Sequence, residues 1–569
     1  MVQKPSCAIH FSQNSDKTTA NFSIEGGATI TTATNSTSIL ESTQYSYTGS
    51  VPGTVTITVG GASTLTTYFP EIRVVNDVAY ASTLTVGQNK QYQTINAALA
   101  AVANMNRSSN QRVTLLIDPG NYEEMLVIDQ PNITLKNASS TPSNALLNKG
   151  VDIDPNAVRI TSYYGYGYNY YSMAANQKWN QEVLNVNKQN GSYSNLNAGG
   201  TTLGSYWNAT VVVAASGFQA ENIIFENSFN QYISNKESQD VLVPFTTGSP
   251  GVRPTTVGDN TVQNRNFRER AAAIAFTSGG DRAILNQCKV VGRQDAFFGS
   301  QGARVVVYKG DMLGGVDYIY GGMTAVFYKS NLVMNVTDST SDLTYITAAQ
   351  QTSGRGFLFY QCNVTSATPG VDNNSTYRAN PGYFGRPWAA STSEVVFYNT
   401  TIETSNNPAN NGLSLIVPAG WNNSLGGTSA GMYEYGSTEN SGVNNTSSRA
   451  SWATSLSAPT LNDGTAITTF NFTKGSDSWD PIPTLEANGN LGTAITKPSS
   501  SVKVYTLKNE VFISNIKSLS EIKIYSMSGA LYKSLKTNKD IFITLPNGIW
   551  LITSSSAEGL LSNKVLTSN

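Results

Sequence analysis

The sequence predicts an all-β chain: a right-handed parallel β-helix solenoid with a small β-sandwich-like domain at either end. Three observations predict it. Charged residues make up 13% of the 569 positions, about half the ordinary share of ~25%. Gly, Asn, Ser, Thr and 29 Tyr take their place, leaving few of the Ala, Leu, Glu and Lys runs that long helices need. One six-residue pattern recurs along the middle of the chain, and both ends read as short alternating strands broken at Gly and Pro.

In chain order, residues 1–83 alternate small polar and β-branched residues, as in Thr54-Val55-Thr56-Ile57-Thr58-Val59, and predict a β module whose role the sequence does not give. The one clear helical signal is Thr94 to Ala103, where Ile95, Ala98, Leu99 and Val102 recur at spacings of three and four. It opens the main unit, residues 84–490. From about residue 111 short apolar strands return, and a Tyr/Asn/Gly-rich stretch from Thr161 to Tyr206 interrupts their rhythm. The repeat then becomes explicit in segments that begin at Leu285, Val307, Phe327, Phe359 and Phe397. Each reads apolar, two linking residues, small, polar, apolar. Successive starts lie 22, 20, 32 and 38 residues apart, which fits a coil of roughly 20 residues with loops inserted in some turns. Cys288 and Cys362 fall in the small-residue column three coils apart. They are expected to be packed free thiols, because a disulfide needs Cα atoms within about 7 Å. Residues 491–501, ending Pro498-Ser499-Ser500-Ser501, read as a linker to a separate small β domain at 502–569, which holds eight lysines and no arginine.

Composition also excludes function classes. With 36 basic and 37 acidic side chains, neither a nucleic-acid footprint nor an acidic-membrane binder is expected. The single histidine, His10, lies far from any catalytic-looking segment, which removes Ser-His-Asp and Cys-His hydrolysis. Cys7, Cys288 and Cys362 are too few and scattered for a zinc site or disulfide framework. Asp152 and Asp154 are too few for calcium, so no metal or cofactor is expected. No apolar run reaches the ~18 residues of a membrane helix. The opening Met1-Val2-Gln3-Lys4-Pro5 has no signal-peptide core, so an exported protein would appear here in mature or trimmed form.

Aligning two coils places Gly292-Arg293-Gln294-Asp295-Ala296-Phe297-Phe298-Gly299 on Gly314-Gly315-Val316-Asp317-Tyr318-Ile319-Tyr320-Gly321. Asp295 and Asp317 then hold one place in successive turns, about 4.8 Å apart. Like charges at that distance resist joint ionisation, which leaves one acid and one carboxylate at neutral pH. A polar ladder or a calcium ligand would use stacked Asp too, so spacing alone leaves those readings open. Flanking aromatics and glycines favour an exposed, sugar-sized platform.

These segments resemble the signature boxes of the pectin methylesterases, a family of parallel β-helix carbohydrate esterases. Gly120-Asn121-Tyr122-Glu123-Glu124 resembles the first box, Gln294-Asp295-Ala296-Phe297-Phe298 the Gln-Asp box, Asp317-Tyr318-Ile319-Tyr320-Gly321 the Asp-Phe-Ile-Phe-Gly box, and Gly385-Arg386-Pro387-Trp388 the Gly-Arg-Pro-Trp box. The likeness runs from Tyr92-Gln93-Thr94-Ile95 to Trp479-Asp480-Pro481, roughly two-thirds of the chain. It implies hydrolysis of homogalacturonan methyl esters without histidine. Asp317 would be the nucleophile, Asp295 the acid and base, Gln294 an oxyanion donor, and Arg386 the cation that holds Asp317 ionised. Trp388, Tyr320 and Phe298 would offer faces to sugar rings. Three positions depart from the family. Arg270, in Arg270-Ala271-Ala272-Ala273-Ile274, stands where the family has a Gln that helps the oxyanion hole, Ala296 replaces Thr and Tyr320 replaces Phe.

The Tyr-rich insert and a second one from Ser234 to Glu269 could bind polysaccharide or pack as a lid. Glu123 and Glu124 read as structural turn residues. The last domain resembles the C-terminal sorting domain of bacterial type IX secretion through Glu521 to Gly529, Leu545 to Trp550 and Lys564-Val565-Leu566, with Trp550 replacing a Tyr. That resemblance implies a secreted or cell-surface bacterial protein with the secretion machinery as partner. The expected activity is pectinesterase; the alternatives are a catalytically impaired pectin-binding solenoid and a related ester or thioester hydrolase.

Overall fold

The computed structural model describes residues 79–165, 209–240, 254–264, 270–389, 391–491 and, with short gaps, 502–568. It also describes Glu182 and Val186, and the backbone alone of strands between Cys7 and Ala79, of Tyr168–Tyr170 and of Leu242–Pro244. The chain divides into two compact units, Met1–Ile482 and Pro483–Asn569.

The first unit contains the solenoid. Its three parallel sheets have eleven, nine and seven strands. Sheet one runs from Thr83–Val86 to Thr454–Ser455, sheet two from Gly120–Glu123 to Thr438–Glu439, and sheet three from Leu126–Ile128 to Tyr383–Gly385. A coil visits them in turn, as in Ala283–Asn286, Lys289–Val291 and Phe297–Gly299.

The repeat read from the sequence has the phase of the coils. Leu285, Val307, Phe327, Phe359 and Phe397 stand in one register column, and Val290, Met312, Leu332, Val364 and Ile402 in the next. All ten point into a single core, each worth ~1.5–3 kcal/mol of burial. The corner between the columns explains the rest of the pattern. Gln287, Lys309, Lys329, Gln361 and Asn399 have φ between 48° and 54°, a costly region for such residues. Each nevertheless donates its N–H to a tyrosine carbonyl in the next coil, over 2.8–2.9 Å, which offsets the strain. The following residue faces the inside of the corner and must be small: Cys288, Gly310, Ser330, Cys362 or Thr400, all buried. Both cysteines are free, and burial pushes their thiols up to about 12, so they are unreactive packing residues.

The helix Ile95–Ala103 forms behind an N-cap at Thr94, whose Oγ1 accepts from Ala97 N–H. It buries Ile95, Ala98 and Val102 against the first coils. Glu124 accepts from the N–H groups of Ile95 and Asn96, both at 2.9 Å, while Glu123 accepts from Ser234 Oγ and Lys236 N–H. Both glutamates are tethers between coil and flanking segments.

The Tyr-rich excursion begins later than the sequence suggests, because Val158–Ser162 is still a sheet-two strand. Tyr163 and Tyr164 are buried with Phe229, Ala271 and Ala272 in an apolar cluster on the outside of sheet three. For those two residues, packing rather than polysaccharide binding explains the tyrosines. Tyr168–Tyr170 pairs antiparallel with Leu242–Pro244, joining the two inserts. Most other residues of the inserts lie outside the described residues, as do the side chains of Cys7 and His10.

Among residues 1–78 the described strands form two small antiparallel sheets: Leu40–Tyr47, Cys7–Asn14 and Arg73–Asn76, and Ile30–Thr31, Ala20–Ile24 and Ile57–Gly61. The second unit is antiparallel, with a three-stranded and a four-stranded sheet around Val511, Ile513, Ile522, Ile524 and Ile552. Trp550 joins that core, and its Nε1–H donates to Pro546 O at 3.0 Å. No helix among the described residues is long and apolar enough to cross a membrane.

Candidate active site

The site lies on the outer face of sheet three. In register, Phe297, Phe298 and Gly299 pair with Ile319, Tyr320 and Gly321, and Gln294 bridges Val316. Asp295 and Asp317 therefore occupy one place on adjacent rungs. Gly292 and Gly314 make the preceding corner possible: a Cβ would lie 2.7 Å from Ala296 Cβ at the first and 2.2 Å from Tyr318 Cβ at the second. Asp295 and Asp317 then take φ of 57° and 50°, a region Asp tolerates better than most residues. This kink breaks strand alternation. Ala296 and Phe297, like Tyr318 and Ile319, both face the core, and the aspartates are left on the outer side.

Both carboxylates are more enclosed than an open groove would make them, at 5% exposure for Asp295 and 6% for Asp317. The cleft above them has a volume of about 280 Å³ and is lined by Arg270, Gln294, Asp295, Asp317, Tyr320, Ala348, Arg386, Trp388 and Leu425. Arg270 bridges Gln294 one rung further along the same column. The aromatic set needs correction. Phe298 is not among the residues lining the cleft; it packs against Tyr320, ring centroids 4.9 Å apart, in the apolar cluster outside sheet three that also takes in Tyr320 and Ala348. Tyr320 lines the cleft but is 1% exposed, so only Trp388, at 37%, presents an open ring.

Arg386 fixes Asp317. Its Nε–H donates to Oδ1 at 2.8 Å and Nη2–H to Oδ2 at 2.6 Å, a bidentate pair. The guanidinium sits 4.2 Å over the Tyr345 ring, and Nη1–H donates to Ser424 Oγ at 3.1 Å. Gly385 lets the chain approach closely enough, since a Cβ there would lie 2.0 Å from Thr347 Oγ1. Tyr345, Ser424 and Leu425 escaped the sequence reading. Tyr345 had a signal, because it falls in the column of Val316 one rung on. Ser424 and Leu425 come from a later loop with no periodicity to place them.

Burial raises the Asp317 carboxyl above its usual value, and the hydrogen bonds and charge of Arg386 counter that rise. Burial also opposes the charge on Arg386, but Asp317 more than compensates and the guanidinium is held protonated. Removing the cation should therefore leave burial unopposed. Arg386→Ala is expected to raise the acidic limb of kcat/KM, which needs ionised Asp317, by about one to three pH units, the worth of an adjacent opposite charge. A uniform loss of rate with an unmoved limb would restrict Arg386 to holding geometry.

Among the described residues no group of three or more His, Cys, Asp or Glu could hold a metal ion. What the arrangement supplies is a fixed carboxylate, a second carboxyl one rung away, amide and guanidinium donors beside it, and an apolar wall.

Residues 234–476 match the family model described as Pectinesterase. Among curated proteins the chain is 27% identical over 292 residues to a probable pectinesterase/pectinesterase inhibitor of Arabidopsis thaliana, covering 51% of this chain and 43% of that one. It is 24% identical over 389 residues to a probable pectinesterase A of Aspergillus fumigatus, covering 68% and 87%. The chain spans about two-fifths of the length of the first curated relatives it matches. Among solved structures, pectin methylesterase from carrot aligns over 70% of this chain and 95% of its own, with 18% identity and a TM-score of 0.45.

Proposed function

We propose that this protein is a pectin methylesterase that hydrolyses methyl esters of homogalacturonan to pectate and methanol. The observation that carries the reading is the rung-to-rung pair Asp295 and Asp317, with Arg386 in bidentate contact with Asp317. The cation stabilises charge on Asp317, which suits it to the nucleophile's part and leaves Asp295 as the proton donor.

An Asp317 oxygen attacks the ester carbonyl, and the carbonyl electrons move onto oxygen, where Gln294 can donate. As the tetrahedral adduct collapses, the C–OCH₃ bond breaks and Asp295 gives its proton to departing methanol, leaving an acyl-Asp317 anhydride. Asp295, now a carboxylate, takes a proton from water, which attacks the anhydride and restores Asp317. The uncharged methyl ester suits the wall of Trp388, Ala348 and Leu425. Methanol release from highly methylated homogalacturonan tests the proposal; none from a folded preparation would overturn it.

The second unit is read as an export address of the type IX kind, with the protein at the bacterial cell surface or secreted. It has its own core, so deletion from residue 502 is expected to leave methanol release intact in protein made in the cytoplasm. The same deletion should block display or release in a host that uses this route; normal export would remove the assignment.

A further inference from the structure

Arg386 reaches Asp317 from two rungs away. The strand Val316–Gly321 pairs with Tyr345–Ala349, which pairs in turn with Tyr383–Gly385, and the Arg386 N–H donates to Thr347 O at 2.9 Å. At about 4.8 Å per rung, the side chain has to run back along the solenoid axis, across the rung between, to bring two N–H groups to the carboxylate. The rung it crosses carries Tyr345. Ile346 and Phe384 point into the core, so Tyr345 and Tyr383, one residue before each, face outward. The guanidinium carbon is 4.2 Å from the Tyr345 ring centroid. Tyr383, one rung further on, stacks on Tyr345 with centroids 5.2 Å apart and planes 4° from parallel.

A long, many-rotamer side chain stays on its partner only if its other positions are closed off. Ser424 Oγ accepts from Nη1–H at 3.1 Å and fixes one edge of the fork. A flat aromatic face adds what an aliphatic side chain cannot, because the ring quadrupole attracts a planar cation laid against it. The titratable groups close to the guanidinium are Asp317, Tyr345 and Asp295, and Arg270 lines the same cleft. The cation acting on Asp317 is Arg386, so a change beneath Arg386 is felt at Asp317 through the guanidinium.

Resting on the esterase reading, we infer that Tyr345 is a positioning residue for the reaction: its ring, backed by Tyr383, holds the Arg386 guanidinium where both N–H groups meet the Asp317 carboxylate, and so keeps the nucleophile aimed and its charge compensated.

The test compares pH profiles of kcat/KM on methylated homogalacturonan for wild type, Tyr345→Phe and Tyr345→Leu, with thermal melts as the folding control. Tyr345→Phe keeps the ring face and should keep most of the rate and the position of the acidic limb. Tyr345→Leu should lower kcat about three- to tenfold with KM nearly unchanged. It should also raise the acidic limb by about half a pH unit, less than Arg386→Ala does. In the Arg386→Ala background it should move the limb no further, because the ring acts only through the guanidinium. Tyr345→Met, also without an aromatic face, takes its place if Tyr345→Leu melts below the assay temperature. An unmoved limb in the folded variant would overturn the inference and leave Tyr345 a packing residue. A further shift in the Arg386→Ala background would overturn it too, as would equal losses in the Phe and Leu variants, which would assign the effect to the hydroxyl. If wild type releases no methanol, the esterase reading fails. Titration of the Asp317 carboxyl by carbon-13 NMR, assigned through Asp317→Asn, then decides: a higher midpoint in Tyr345→Leu than in wild type supports the positioning role, and equal midpoints refute it.

Discussion

Asp317→Ala and Asp317→Asn are expected to bring methanol release to near background, a loss of roughly 10⁴-fold or more, the scale on which removed nucleophiles act. Neither variant can form the acyl intermediate. The fold should survive, though the reason differs from the one exposure alone would give. Asp317 is nearly buried, and removing one partner of a buried ion pair can cost about 3–5 kcal/mol. Arg386, however, reaches the cleft and keeps Ser424 and the Tyr345 ring as partners, so the cost should fall below that range. The amide variant keeps the shape and one acceptor and should melt closer to wild type than the alanine variant. Methanol assays beside circular dichroism and melting curves separate the two effects. Substantial turnover by folded Asp317→Asn would remove Asp317 as nucleophile.

The solenoid was legible because its physics is periodic. Leu285, Val307, Phe327, Phe359 and Phe397 must share a column if the core is to be continuous, so self-comparison alone finds the phase. The same alignment put Asp295 on Asp317, and the motif boxes brought Arg386 to them. What stayed hidden depends on contacts that no period encodes. Phe298 reads as a platform residue beside two catalytic-looking motifs, yet it is buried in an apolar cluster with Tyr163, Tyr164 and Phe229, which come from segments distant in sequence. Ser424 and Leu425 reach the site from a loop more than a hundred residues after Asp317 in sequence. The depth of the two carboxylates was also invisible. It follows from the left-handed kink at each Asp and from Arg386 closing over one of them.

Asp295→Asn is expected to lower methanol release by roughly 10²–10⁴-fold, the usual worth of a positioned proton donor and acceptor, and its two tasks can be separated. Methoxide is a poor leaving group and needs a proton as the C–O bond breaks. A nitrophenyl ester of the same uronate does not, so the Asp295→Asn variant should acylate Asp317 much faster from that ester than from the methyl ester. Hydrolysis of the anhydride still needs a base to take a proton from water, and an amide cannot supply one. The variant should therefore release a burst of nitrophenol, about one equivalent per active site, and then slow to a low steady rate as acyl-enzyme accumulates. In wild type the burst should be smaller or absent, because Asp295 clears the intermediate. Arg386 holds Asp317 through two hydrogen bonds of its own, so the substitution leaves the nucleophile's ion pair in place. Equal losses on both esters with no burst would show that Asp295 does not protonate the leaving group. The proton would then have to reach methanol from elsewhere in the cleft.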